Sequence, residues 1–182
     1  MRAKLRKLVW KQVKKGIAER FPNFTLSVDV SDGLLWRLEG SNALFFYITI
    51  DNLPRDDNFA FEVHWNIIDE LPLHRRGSPK PEHFFENRGT YRIQLFYWKK
   101  NMLGHFDLDP EYSRKLQEFD YKEASKIFAE TRVYPSVINT DVDILIERAP
   151  AIIEDALDML TEHGIPFFRQ VAQAHGVANL NL

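Results

Sequence analysis

Glu62, His64 and Arg92 are the residues of this 182-residue chain whose types and spacing best combine into chemistry. An imidazole titrates near neutrality. A carboxylate two positions away on a strand shares its face and can orient it. A guanidinium on a neighbouring strand can hold an anion by paired hydrogen bonds. On that reading His64 accepts a proton, Glu62 positions it and Arg92 binds the anionic group. The competing reading is structural: a solvated sheet face with cross-strand charge pairs such as Glu62 with Arg92.

A second group lies in residues 69–90, which hold three prolines, two glycines and the cations Arg75, Arg76, Lys80 and Arg88 beside Phe84 and Phe85. Arginine and aromatic side chains are enriched where proteins meet. Arg75, Arg76, Phe84, Phe85 and Arg88 are therefore the candidate binding residues. The alternative folds Phe84 and Phe85 onto the core and leaves the arginines in water. Metal ligation is less well supported. His74 and His83 share that loop, and His105, Asp107, Asp109 and Glu111 alternate further on, but no spacing matches a zinc helix or a calcium loop. No metal and no cofactor is expected. Cysteine is absent, which excludes disulfides, thiolate metal sites and cysteine nucleophiles. Phosphate-cradling glycine loops and a serine nucleophile elbow are also missing.

These groups need elements to carry them. Residues 3–20 place Leu5, Leu8, Val9, Val13 and Ile17 at three- and four-residue steps, the stripe of an amphipathic helix, and Phe21-Pro22 stops it. Five stretches then alternate with a two-residue period: 24–30, 34–39, 43–50, 59–67 and 91–98. The third is apolar on both faces, which predicts cover on both sides. In the fourth, Phe59, Phe61, Val63, Trp65 and Ile67 point one way and Glu62, His64 and Asn66 the other, towards water. With strands paired in order, Arg37, Glu39, Tyr47, Thr49, Glu62, His64, Asn66, Arg92 and Gln94 share that polar face. Residues 121–130 read as a helix. A long apolar helical face follows from Val142 to Leu160, with Thr140 as its N-cap, Pro150 kinking or splitting it, Gly164 ending it and Pro166 opening a last helix.

The expected fold is α+β: a basic helix at 1–20, a mainly antiparallel five-stranded sheet within 24–98, and a helical part at 111–176, with the N-terminal and C-terminal helices packed on one face. All belong to one domain. The order of these elements, with Glu162-His163-Gly164-Ile165-Pro166-Phe167-Phe168 closing the long helix, resembles a family of small bacterial proteins known only as a domain of unknown function. The resemblance implies an α+β fold and a bacterial source, and it carries no catalytic residues.

The net charge of −2 conceals a gradient. Residues 1–20 carry eight Lys or Arg against one Glu, and residues 105–165 carry fourteen Asp or Glu against six Lys or Arg. Internal attraction between the two is the simpler expectation. No stretch nears the roughly 20 apolar residues of a membrane span, so a soluble, cytoplasmic protein without membrane contact is expected. The leading functional expectation is a non-enzymatic protein-binding module, with an immunity-type role, covering a toxin's surface, as one form of it. A small-ligand binder or enzyme using the polar sheet face is the alternative. A third reading is nucleic-acid binding through Lys4, Lys7, Lys11 and Lys14 of the first helix.

Overall fold

The computed structural model describes residues 1–30, 33–40, 44–53, 57–67, 69, 91–94, 106–132, 140–177, 180 and 181. Helix α1 (Ala3–Arg20) leads into strands β1 (Thr25–Val30), β2 (Gly33–Glu39), β3 (Phe45–Leu53), β4 (Asn58–Asn66), β5 (Tyr91–Gln94) and the two-residue β6 (Phe106–Asp107). Helices α2 (Pro110–Gln117), α3 (Tyr121–Thr131), α4 (Val142–Met159) and α5 (Ile165–Ala174) complete it. The strands pair antiparallel in chain order from β1 to β5. Strand β6 pairs with the start of β4, at Asn58 and Phe59, while β5 pairs with Glu62 to Trp65. The expected α+β architecture is the one observed.

The apolar face of the sheet carries Trp36, Phe46, Ile48, Ile50, Phe59, Phe61, Val63 and Trp65 into the main core. Leu5, Val9, Val13 and Ile17 of α1, Leu145, Ala149, Ile153 and Leu157 of α4, and Phe168 and Val171 of α5 close over it. Phe168 stacks on Phe24 at 5.9 Å between centroids and meets Phe46 edge-on at 5.0 Å, geometries that aromatic quadrupoles favour.

Helices α1 and α4 lie alongside each other. Lys4 bonds to Asp143 near both starts, and Arg20 bonds to Glu154 and Asp158 near both ends. The sequence offset is 139 at one end and 138 at Asp158, so the helices run in the same direction. The charge gradient thus resolves at least partly within the chain, as expected. These pairs are solvent-facing and contribute roughly 0–1 kcal/mol each. Close approach comes from Gly16: a Cβ there would lie 2.3 Å from Leu157 Cδ1.

Pro150 lies inside α4, so of the two outcomes expected there division does not occur. Two helix boundaries differ from the sequence expectation. Gly164 does not end the helix; residues Leu160–Gly164 form one π-helical turn that passes into α5. The Ile165 N–H reaches back to the Leu160 carbonyl. Proline lacks an N–H and its ring collides with the carbonyl four residues earlier in a regular helix, and a widened turn just before Pro166 relieves that collision. Thr140 is not the N-cap of α4 either. Asp141 is, accepting from the Asp143 N–H.

Candidate functional site on the second face of the sheet

The ladder registers place the expected residues on one face. Leu35, Thr49, Glu62 and Gln94 form one cross-strand row, and Arg37, Tyr47, His64 and Arg92 form the next. Arg92 therefore stands opposite His64, and Gln94 opposite Glu62. The anticipated Glu62–Arg92 pairing is a diagonal one.

The face is not turned to water. Glu62 is 1% exposed, His64 4% and Asn66 6%, and every residue of β4 is buried. The expected outward orientation of this face is corrected by that burial. Beside the polar groups, Leu35, Phe45 and Tyr47 form a second small apolar cluster with Val28 against it. Part of the cost of enclosing His64 is offset by Thr49 and Glu62, which lie beside its Nε2. The sequence did hold a signal: β3 is apolar on both faces, and the cover it needs extends to β4, its ladder partner.

Within this face His64 Nε2 lies 3.0 Å from Thr49 Oγ1 and 3.5 Å from Glu62 Oε2. The other ring nitrogen, Nδ1, is buried and has no hydrogen-bond partner among the described residues. Nε2 is thus flanked by a hydroxyl and a carboxylate. That is the arrangement in which a carboxylate holds an imidazole for proton transfer.

A neighbouring cluster ties Asp69 to the same face. Arg37 donates from Nε and Nη2 to the Asp69 carboxylate at 2.8 and 2.7 Å, and the Tyr47 hydroxyl donates to it at 3.2 Å. The Arg37 guanidinium also lies 4.9 Å from the Phe45 ring centroid, within cation–π range. The Arg37 hydrogen bonds hold the Asp69 carboxyl below its ordinary range. Burial, followed by the Asp69 charge, pushes the Tyr47 hydroxyl up to about 12.

The candidate binding residues Arg75, Arg76, Phe84, Phe85 and Arg88, with His74, His83 and His105, lie outside the described residues. Asp107 and Asp109 are described, and both accept backbone hydrogen bonds. Asp107 accepts from the Asp109 N–H. Asp109, 1% exposed, accepts from the Tyr112 N–H in the first turn of α2 and from both the N–H and the hydroxyl of Thr140. It fastens the start of α2 to the approach of α4, 31 residues on. Among the described residues no three His, Asp or Glu side chains are placed to hold a metal ion, and no helix is long and apolar enough to cross a membrane.

Surface features missed in the sequence lie on α3. Tyr121 is 59% exposed, Phe128 42% and Ile127 37%, and only Ala124 of that helix is buried. The spacing 121–124–128 marks one stripe, but an amphipathic period predicts a covered face, and nothing in it distinguishes cover by the same chain from cover by another. The chain matches no protein-family model, no curated protein and no solved structure.

Proposed function

We propose that this protein is a non-enzymatic protein-binding module whose contact surface includes α3. The exposed stripe of Tyr121, Ile127 and Phe128 around the seated Ala124 carries this reading. Aromatic side chains exposed together on one helical face are the anchors from which protein interfaces are built. Occupation of another protein's surface, as in an immunity-type role, is one form that binding takes.

The test compares the wild-type chain with a Tyr121→Ser/Phe128→Ser variant as bait in lysate of the source organism. The expected result is a partner retained by the wild type and lost from the variant, at unchanged melting temperature and circular dichroism. A partner held equally by both baits, or none beside a working positive control, overturns the proposal.

A second reading has its own observation. Buried His64, beside Thr49 and Glu62 and with no hydrogen-bond partner for Nδ1 among the described residues, supports a small-ligand or acid–base site on the sheet face. A ligand from a metabolite extract that moves the His64 ring-nitrogen resonances in wild type, and does not bind His64→Gln, supports it. Ring resonances indifferent to every fraction count against it. The nucleic-acid reading gains nothing comparable, since Lys4 and Lys14 of α1 are bonded to Asp143 and Asp29.

A further inference from the structure

A cleft of about 860 Å³ opens between the last turns of α5 and the segment that follows it. The helix end creates it. The N–H groups of Gly176 and Val177 close back on the carbonyls of Gln173 and Ala172 at 3.0 and 2.8 Å, the paired bonds of a helix stop with a left-handed residue. Gly176 supplies that residue at φ +75°, and a Cβ there would meet nothing within 4 Å. Leu180 lies beside Gly40, where a Cβ would come within 3.2 Å of its Cδ1, and packs against the main core. Ala172 and Val177, both buried, and half-buried Leu180 give the cleft an apolar lining.

Its polar lining is one-sided. Arg169, exposed, and Gln173 stand one helical turn apart and so share a face, and Asn181 adds a second amide. Among the described residues Arg169 has no ion pair or hydrogen bond, and no carboxylate lines the cleft. Residues 164–182 contain no Asp or Glu in a chain that has 26. A guanidinium with two amides beside apolar side chains suits an anionic head on an apolar body. The volume falls in the range of about 300–1,000 Å³ occupied by small-molecule sites.

We infer that this cleft is a binding site for amphipathic carboxylates, with Arg169 holding the carboxylate, Gln173 and Asn181 hydrogen-bonding it, and Ala172, Val177 and Leu180 taking the hydrocarbon. The site is separate from both α3 and the sheet face, so it stands or fails independently of the function proposed above.

Decanoate is the probe, titrated into the full chain and followed by amide resonances of Gln173, Val177 and Asn181. Saturable shifts at those residues are expected. Decanol, which lacks the charge, and acetate, which lacks the chain, each bind about tenfold more weakly or worse. Arg169→Gln weakens decanoate by a similar factor, whereas Arg148→Gln, at an exposed arginine of α4 outside the cleft, leaves it unchanged. Arg169 is exposed, so its replacement leaves the fold intact. The absence of saturable shifts, decanol binding as tightly as decanoate, or Arg169→Gln binding like wild type overturns the inference.

Discussion

The two faces of strand β4 are equally buried and held by different physics. On one, Phe59, Phe61, Val63 and Trp65 are no more than 1% exposed and pack into the main core. On the other, Glu62, His64 and Asn66 are nearly as enclosed, with Thr49 bonded to His64. The first face gains from area removed from water and is tolerant of small shape changes. The second gains little from burial and depends on bonds such as that between Thr49 and His64. Burial alone therefore says little about what a residue contributes.

Substitutions can break that contrast, and the largest effect belongs to the apolar face. Phe61→Ala removes a fully buried ring and is expected to cost about 3–5 kcal/mol, read as a lower urea midpoint. Thr49→Val keeps the shape and removes the hydroxyl beside buried His64. Its expected cost is about 1–3 kcal/mol, the penalty for stranding a buried polar atom. If Thr49→Val is neutral, the second face is not held by its hydrogen bonds and the contrast fails.

Gly16→Ala tests the helices covering the apolar face. Alanine gains roughly 0.5–1 kcal/mol of helix propensity. The new methyl would meet Leu157 Cδ1 at 2.3 Å, and overpacking of that kind costs about 1–3 kcal/mol. A net loss near 1 kcal/mol is expected by thermal melting, and a net gain would mean that Leu157 yields freely.

The smallest effects on stability sharpen the polar side by titration. Tyr47, ordinarily near 10.0, is raised to about 12 by burial and by Asp69. Its protonated form is favoured by folding, so this contribution is complete below pH 10 and is lost as pH rises from 10 to 12. Tyrosinate absorbance and the urea midpoint should report that window together. Asp69→Asn removes the neighbouring charge and should lower the Tyr47 midpoint while leaving melting nearly unchanged. Asp69 itself is held low by Arg37, so its contribution is complete above its ordinary 3.8 and fades as pH falls through the folded value.

Most of the framework was legible because it is periodic. Helix α1 and strands β1 to β4 follow their three- to four-residue and two-residue patterns to within a residue or two at most ends. Strand β6 spans two residues and has no period to read. The polar residues expected to share a face occupy matching register positions, since register follows once the strands pair in order. Their burial is legible only indirectly, through the doubly apolar β3 beside them, because Glu62, His64 and Asn66 look the same in sequence whether water or protein covers them. Gly16 adds nothing to the periodic pattern, although its lack of a side chain sets how near α1 comes to α4. Pro166 was read correctly as a helix beginning, but the π turn that precedes it depends on three-dimensional accommodation of its ring.

The same-direction alignment of α1 with α4 has a consequence for synthesis. The first helix leaves the ribosome some 139 residues ahead of the segment that pairs with it. At roughly 5–20 residues per second that interval is on the order of ten seconds. Throughout it the greasy side of the nascent helix has only the emerging strands to lean on, making this the period when a chaperone would find the chain most receptive.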